Sequence, residues 1–398
     1  MADVKIFAAQ VEACAWEQIQ MLASLPAFAD SKIRIMPDVH AGTGCVIGFT
    51  ADLGDKVIPN IVGVDIGCGM LTVELGPCEI DFEKLDAVIR RDVPSGMNVR
   101  QTPVPEAMDL TQMRCYKQLA HVDRLLCSLG TLGGGNHFIE IDRDDEGNHY
   151  LVIHTGSRNL GKQVARHYQN LAVEVMRGRD EYRAACDEAI AAYRAQGRGQ
   201  EIPQLLKRMA LEFEQKTAPI PNELCYLTGG YREDYLYDMQ LCQRFAEFNR
   251  QWIARAICSQ MGWPMGRQFT TVHNYIEPGT NIVRKGAVSA KAGERLLIPM
   301  NMRDGALICI GRGNDDWNQS APHGAGRLMS RGQARRELSL DAYAQSMEGV
   351  YTTSVGNDTL DEAPMAYKPM EQIIALIGDT AEIERIIRPV YNFKAGGD

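Results

Sequence analysis

The stretch IRIMPDVHAGTGCVIGFTADLGDKVIPNIVGVDIGCGMLTVELG, residues 33–76, alternates short apolar runs with glycine and aspartate. Residues 33–36 are mostly apolar and β-branched, so they predict a strand, and the chain turns out of it at Pro37. Further strands are predicted near 45–50, 57–64 and 70–75, each bounded by turn-forming residues. Short strands spaced this closely predict a sheet at the centre of the protein.

The rest of the chain mixes strands and helices without a regular period. Apolar spacing predicts helices at 81–92, 112–129, 233–260, 333–347 and 370–387, and strands at 138–141, 150–154 and within 269–311. A polar block rich in Ala, Glu, Arg and Gln predicts a helical surface excursion at about 162–216. This irregular order favours the α+β class: one complex domain over residues 1–398, with β-sheets at the core and peripheral helices.

Composition narrows the class of protein. The net charge of -9 argues against a protein that coats nucleic acid nonspecifically. A local basic patch is still compatible with this net charge. The eleven cysteines are scattered, no secretory signal precedes them, and no apolar run reaches the roughly 18 residues of a membrane span. We therefore expect a reduced, cytoplasmic protein that does not contact a membrane.

Asp65 and Cys68 lie three residues apart in the glycine-flanked motif VDIGCG (64–69). A carboxylate and a thiolate aimed into one space would suit a divalent ion, although an Asp turn beside a buried Cys is the more frequent meaning of such a motif alone. His154 and His273 each end an apolar strand, and His137 follows a run of glycines. Together these side chains predict two adjacent metal positions carried by the central sheets.

Three further motifs predict phosphate chemistry. The motif GGGNHFIE (133–140) lets the backbone approach a ligand closely and adds Asn136 and Glu140. Arg158 follows the strand end at His154 and could grip phosphate in a fork. Small residues surround His323, which could attack phosphorus, or could only donate a hydrogen bond at a phosphate-binding helix start. His40 could hydrogen-bond to a metal-ligating side chain and so orient it.

These motifs together resemble the RtcB family of RNA-splicing ligases. They occur in the family's order and span about residues 33–394: PDVH (37–40), VDIGCGM (64–70), GGNHF (134–138), HTGSR (154–158), HNY (273–275), RKGA (284–287) and HGAGR (323–327). The resemblance implies a ligase that uses GTP and two Mn(II) ions. It would join an RNA 3′-phosphate or 2′,3′-cyclic phosphate to a 5′-hydroxyl, in tRNA splicing or RNA repair.

The resemblance also implies a role for each site residue. Asp65, Cys68 and His137 would hold one Mn(II), and Cys68, His154 and His273 the other, with the thiolate shared. His323 would attack the α-phosphorus of GTP and carry GMP. The residues expected beside the nucleotide are Asn136, His137, Glu140, His273, Asn274, Pro299, Met302, His323, Gly324, Ala325, Gly326 and Lys394. Those expected to act on RNA and phosphate groups are Arg158, Lys285, Arg327 and Arg331.

The segment PMNMR (299–303) departs from the family, because many members have PGSMG there, and this points to a divergent branch. An archease-like activator is a further partner that the resemblance raises. Two alternatives stay open. A two-metal phosphodiesterase or cyclic phosphatase would need the metal ligands but no nucleophilic His323, and a non-catalytic protein that binds RNA ends would need neither.

Overall fold

The computed structural model describes residues 2–106 and 108–396. Its strands are β1 (Asp3–Ile6), β2 (Lys32–His40), β3 (Ile47–Asp52), β4 (Gly69–Gly76), β5 (Phe138–Arg143), β6 (His149–Thr155), β7 (Gln268–Val272), β8 (Asn274–Ile276), β9 (Ile282–Lys285), β10 (Ala287–Ser289), β11 (Arg295–Asn301), β12 (Gly305–Gly311), β13 (Ser320–Pro322), β14 (Tyr351–Thr352) and β15 (Ala381–Lys394). Its α-helices are α1 (Ala13–Ser24), α2 (Pro59–Val62), α3 (Phe82–Asp92), α4 (Val122–Cys127), α5 (Arg158–Met176), α6 (Arg179–Ala195), α7 (Ile202–Glu214), α8 (Gly229–Met261), α9 (Arg331–Glu337), α10 (Leu340–Ser346) and α11 (Met370–Ile377).

The larger sheet has the order β11-β12-β15-β5-β6-β4-β7, and β14 adds to β15 outside this path. Its first and last strands, β11 and β7, approach each other. The amide of Leu297 on β11 donates to Oγ1 of Thr271 on β7 at 3.0 Å. The sheet therefore curls toward a barrel. Both of its faces are covered by apolar side chains, with Ile139 and Ile141 in one cluster and Phe138 in another.

The smaller sheet has the order β1-β2-β3-β9-β8, and β10 pairs separately with β13. The largest apolar cluster covers this sheet with side chains from α1, α5 and α8. His273 lies between β7 of the larger sheet and β8 of the smaller one, so it joins the two sheets. The α+β prediction, with sheets at the core and helices around them, is confirmed.

The helices differ in how deeply they pack. Helix α8 has 33 residues and buries the polar side chains of Asp238, Asn249 and Arg250 along with its apolar ones. Helix α5 buries a row of apolar side chains that includes Leu160, Val164 and Leu171. In α6 and α7, which pack on each other, no residue is buried. No helix among the described residues is long and apolar enough to span a bilayer.

Several local predictions were wrong. The chain does not turn at Pro37, because β2 continues from Lys32 to His40. Within 57–64 the chain forms the short helix α2, because Pro59 fits the first turn of a helix and has no N–H to give a sheet. The helix predicted at 112–129 is reduced to 3₁₀ turns and the short α4. The helix predicted at 370–387 ends at Ile377, and β15 follows it.

Candidate metal centre and the adjoining cleft

The first candidate metal group contains Asp65, Cys68 and His137, one ligand atom from each lying within 4.8 Å of the others. Oδ2 of Asp65 is 3.0 Å from Nε2 of His137, and Sγ of Cys68 is 3.5 Å from the same nitrogen. The turn before β4 supplies Asp65 and Cys68, and the glycine-rich loop before β5 supplies His137. Three donors thus face one point.

The second group contains Cys68, His154 and His273, again with ligand atoms within 4.8 Å of one another. Sγ of Cys68 is 3.3 Å from Nε2 of His154. The His154 and His273 rings lie with their centroids 5.2 Å apart. Cys68 therefore belongs to both groups, as the resemblance implied for a shared thiolate.

The ring nitrogens are arranged as metal binding requires. Nδ1 of His137 lies 2.9 Å from the carbonyl oxygen of Leu132, and Nδ1 of His154 lies 3.1 Å from that of Asn136. A carbonyl can only accept, so each Nδ1 carries the hydrogen, and each Nε2 is the nitrogen turned toward the candidate metal ligands. Nδ1 of His273 is buried without a hydrogen-bond partner in the described part of the chain. A set of one thiol, one carboxylate and imidazoles suits a borderline divalent ion.

Burial also sets the protonation of these ligands. It lowers the pKa of His154 and of His273 well below the usual range, so both rings are neutral and able to bind an ion. Burial, reinforced by the nearby Asp65 carboxylate, raises the pKa of the Cys68 thiol. A bound cation would have to displace that proton, because only the thiolate is a good ligand.

His323 lies next to the second group, its ring centroid 4.9 Å from that of His273. The fully buried Asp38 holds it from the other side, since Oδ2 lies 2.6 Å from Nδ1 of His323 and accepts from its backbone N–H at 3.1 Å. Nδ1 therefore carries the hydrogen, and Nε2 keeps its lone pair. No role for Asp38 was predicted from the sequence, although its place in β2 two residues before His40 sets both on one face of the strand.

Two glycines give His323 its space. A Cβ on Gly286 would lie 3.2 Å from Cε1 of His323 and 2.2 Å from Cγ2 of Ile47. Gly326 has φ +75°, and a Cβ there would lie 2.3 Å from the carbonyl oxygen of Asp38. The turn that carries His323 can thus lie directly on β2.

A cleft of about 890 Å³, part of it open to solvent, begins at His323. It brings together many of the residues predicted to contact nucleotide or phosphate: Asn136, Glu140, Pro299, Met302, His323, Gly324, Ala325, Gly326, Arg327, Arg331 and Lys394. The predicted metal ligand His154 lines it as well. His40 also lines it, with Nδ1 3.0 Å from the carbonyl oxygen of Asp38. Burial lowers the pKa of His40 to about 4, so its ring is neutral.

The carboxylate of Glu362 forms ion pairs with the cationic side chains of the cleft. No motif in the sequence pointed to this residue. Its carboxylate lies 2.6 Å from Nζ of Lys394, 2.6 Å from Arg331 and 3.3 Å from Arg327. The hydroxyl of Tyr367 donates to it at 2.7 Å. Burial opposes ionisation of Glu362, but these cations outweigh it and lower the pKa to about 2. The cations are therefore held in place before any ligand arrives.

Five residues predicted to contact nucleotide, RNA or phosphate are absent from the described lining of this cleft: His137, His273, Asn274, Arg158 and Lys285. Nη2 of Arg158 donates to the carbonyl of Gly96 at 3.2 Å. The amine of Lys285 donates to the carbonyls of Thr43 and Asn60. The amide of Asn274 bridges the carbonyl of Asp65 and the N–H of Gly286, so it supports the metal turn directly.

Helix α8 supports the metal centre through two buried polar residues that the sequence did not reveal. Arg250 donates to the carbonyls of Gly67 at 3.0 Å and Thr155 at 2.8 Å, and each of these residues adjoins a predicted metal ligand. Asn249 donates to the carbonyls of Thr131 and Gly156. The helix thereby fixes the three loops that present Cys68, His137 and His154.

The chain is similar to known proteins along nearly its whole length. A sequence profile of the RtcB family, described as tRNA-splicing ligase RtcB, matches residues 18–124 and 108–395. The RNA-splicing ligase RtcB of Escherichia coli strain K12 is 29% identical over 96% of this chain and 95% of its own length. The tRNA-splicing ligase RtcB of Archaeoglobus fulgidus is 26% identical over 92% of this chain and 88% of its own length. Because the profile covers nearly the whole chain, the protein belongs to the RtcB family.

Proposed function

We propose that this protein is an RNA ligase that uses GTP and Mn(II) to join a 3′-phosphate or 2′,3′-cyclic phosphate end to a 5′-hydroxyl end through a guanylated His323. The observation that carries the proposal is the position of His323: its Nδ1 is held by the buried Asp38, and its ring lies 4.9 Å from that of His273 in the candidate metal centre. The same ring borders the cleft where a nucleotide could lie.

This geometry supports the following first step. Nε2 of His323 attacks the α-phosphorus of GTP, an N–P bond forms, and pyrophosphate leaves with the electron pair of the broken P–O bond. Asp38 keeps Nδ1 protonated and stabilises the positive charge that develops on the ring. Asp65, Cys68, His137, His154 and His273 would hold two Mn(II) ions, which supply Lewis-acid neutralisation of phosphate charge when bound.

The cleft residues position the nucleotide in this proposal. Glu140 offers a carboxylate and Lys394 an amine for the polar edge of guanine, and the backbone of 324–326 lies beside the phosphates. Arg327 and Arg331 face the cleft with fork-shaped donors that suit phosphate oxygens. Pro299 and Met302 complete the wall, and the departure of segment 299–303 from the family lies there.

The later steps need RNA as partner. The RNA 3′-phosphate takes GMP from His323, and the 5′-hydroxyl then displaces GMP and seals the strand. Arg158 and Lys285 are further proposed contacts for RNA or phosphate. We propose a cytoplasmic role in tRNA splicing or RNA repair, with an archease-like activator as a partner to be tested.

The test is covalent labelling with α-³²P-GTP and Mn(II). Wild-type protein should retain acid-labile, base-stable label, as expected for an N–P bond, and His323→Ala should retain none. His149→Ala, which changes a histidine on β6 outside the described cleft lining, is the matched control and should label normally. No label on wild-type protein, with RNA ends still processed, would instead support a two-metal phosphodiesterase.

A further inference from the structure

Asp142 is a fully buried acid that the proposed steps do not use. It lies on β5 two residues after Glu140, so both side chains are on the same face of the strand. Their partners across the pair with β6 are Tyr150 for Asp142 and Val152 for Glu140. Both partners belong to one apolar cluster, which also contains Leu297, Ile308 and Ile387. The two carboxyl groups therefore lie against the apolar interior of the curled sheet.

Neither oxygen of Asp142 meets a hydrogen-bond donor among residues 2–106 and 108–396. Burial and the negative charge of Glu140, which lies on the same face of β5, both raise the pKa of Asp142. Two carboxylates have only acceptors, so a contact between them can be a hydrogen bond only if one of them carries a proton.

The surrounding charges decide which acid holds that proton. Glu140 accepts from the amide of Asn392, which lies directly opposite on β15, and is stabilised as an anion by Lys394 of the same strand. Within the described chain, the charged group acting on Asp142 is Glu140 itself. A carboxylate without a cation or a donor is costly to bury, so the proton belongs on Asp142.

We propose that Asp142 is protonated at neutral pH and donates a hydrogen bond to Glu140, and so acts as a positioning residue that keeps Glu140 ionised toward the nucleotide. The inference rests on the proposed function, in which Glu140 contacts GTP. An ionised carboxylate offers only acceptors, which suit the N–H groups of guanine.

The sign of the pH dependence follows from the causes acting on Glu140. Burial raises its pKa to about 7, while the hydrogen bond from Asp142, the amide of Asn392 and the charge of Lys394 each lower it. Removing the Asp142 donor must therefore raise the pKa of Glu140 further. GTP affinity, which needs the ionised form, would then require a more alkaline solution.

The first experiment detects the proton without any nucleotide. Infrared difference spectra of the full-length protein at pH 8 should show the carbonyl stretch of a buried carboxylic acid, and Asp142→Asn should remove it. A spectrum without this band, or a band that persists in Asp142→Asn, would overturn the proposal whatever the protein does with GTP.

The second experiment measures GTP affinity against pH with Mn(II) present. Asp142→Asn keeps a donor at the same place, so its midpoint should match wild type. Asp142→Leu loses the donor, and its midpoint should move up by about one pH unit, with affinity at pH 7 lower by up to about tenfold. Glu140→Gln should abolish the pH step. Thermal unfolding of each variant checks the fold.

These outcomes distinguish a failure of the inference about Asp142 from a failure of the proposed function. Equal midpoints for the Leu variant and wild type would overturn the positioning role. A shifted midpoint in the Asn variant would also overturn it, because the donor is retained there. If wild type neither binds GTP nor takes label, the proposed function fails together with the nucleotide role of the pair. The infrared result still decides on its own whether Asp142 holds the proton.

Discussion

Asp38 controls His323 through a single oxygen atom. Oδ2 accepts both from the backbone N–H of His323 and from its ring, while Oδ1 is buried without a hydrogen-bond partner in the described structure. One atom therefore fixes where the histidine lies and which of its nitrogens carries the hydrogen. Because Asp38 itself is fully buried, solvent does not compete for this contact.

We expect Asp38→Asn to slow guanylation of His323 by about 100-fold or more while the protein stays folded. An asparagine amide can turn its own N–H toward Nδ1, which would move the lone pair from Nε2 to the wrong side of the ring. The measurement is the initial rate of labelling from α-³²P-GTP. Asp86→Asn, at a buried aspartate bonded to Tyr391, is the control. A wild-type rate for Asp38→Asn would refute the orienting role.

The sequence predicted which side chains should meet but not what holds them. Cys68 and the three histidines could be grouped because each lies beside a distinctive glycine-rich or apolar motif. Asp38 and Arg250 carried no such local sign. Asp38 acts through a contact 285 positions away, and Arg250 acts by filling the donor needs of buried carbonyls on separate loops. Contacts of that kind exist only once the sheets are assembled.

At the scale of elements, the turn 323–326 depends on a glycine that touches β2. Gly326→Ala would combine a left-handed φ with a clash against the carbonyl of Asp38, since the added Cβ would lie 2.3 Å from it. We expect a loss of about 2–4 kcal/mol in the free energy of unfolding, together with loss of His323 labelling.

The matched control is Gly293→Ala, where φ is +78° but no atom lies within 4 Å of the added Cβ. That variant should lose only the cost of the left-handed backbone, about 1–2 kcal/mol, and should label normally. Urea denaturation of both variants measures the difference. Equal losses would show that the contact with β2 has no energetic weight.

Strand β15 shows why local patterns failed near the end of the described chain. Ile383, Ile386 and Ile387 have the spacing of a helix face, and this spacing produced the wrong prediction. In the structure β15 pairs on both sides, with β12 and β5, and its register shifts beside both strands. The register shifts break the alternation of apolar and polar residues by which a strand is recognised in a sequence. Pairing partners, which local sequence does not contain, decided the outcome.

At the scale of the whole molecule, the metal groups link both sheets. We expect wild-type protein to bind two Mn(II), His137→Ala to bind one, and Cys68→Ala to bind neither ion tightly, because Cys68 belongs to both groups. Isothermal titration and metal analysis after gel filtration measure the stoichiometry. His149→Ala should keep both ions. Two tightly bound ions in Cys68→Ala would disprove the shared ligand.

We expect the free energy of unfolding at low pH to depend on the ionisation of Glu362. Its pKa in the folded protein is about 2 against an ordinary 4.5, so it stabilises the fold above pH 4.5, and this contribution disappears as the pH falls toward 2. Glu362→Gln should therefore cost about 3 kcal/mol at pH 7 and less than half of that at pH 3.

Urea denaturation at pH 7 and pH 3 tests this dependence, with Glu348→Gln at an exposed glutamate as the control. The control should change the free energy of unfolding little at either pH. A cost for Glu362→Gln that is the same at both pH values would show that the ion pairs around Lys394 do not stabilise the fold.

The position of β15 between β12 and β5 affects how the sheet can assemble during synthesis on the ribosome. A ribosome delivers residues 138–143 long before residues 381–394, so the edge of β5 that β15 will cover stays open in between. At roughly 5–20 residues per second, this interval lasts on the order of ten seconds or more. An uncovered strand edge attracts other nascent chains. This edge of β5 is therefore exposed to mispairing until β15 arrives.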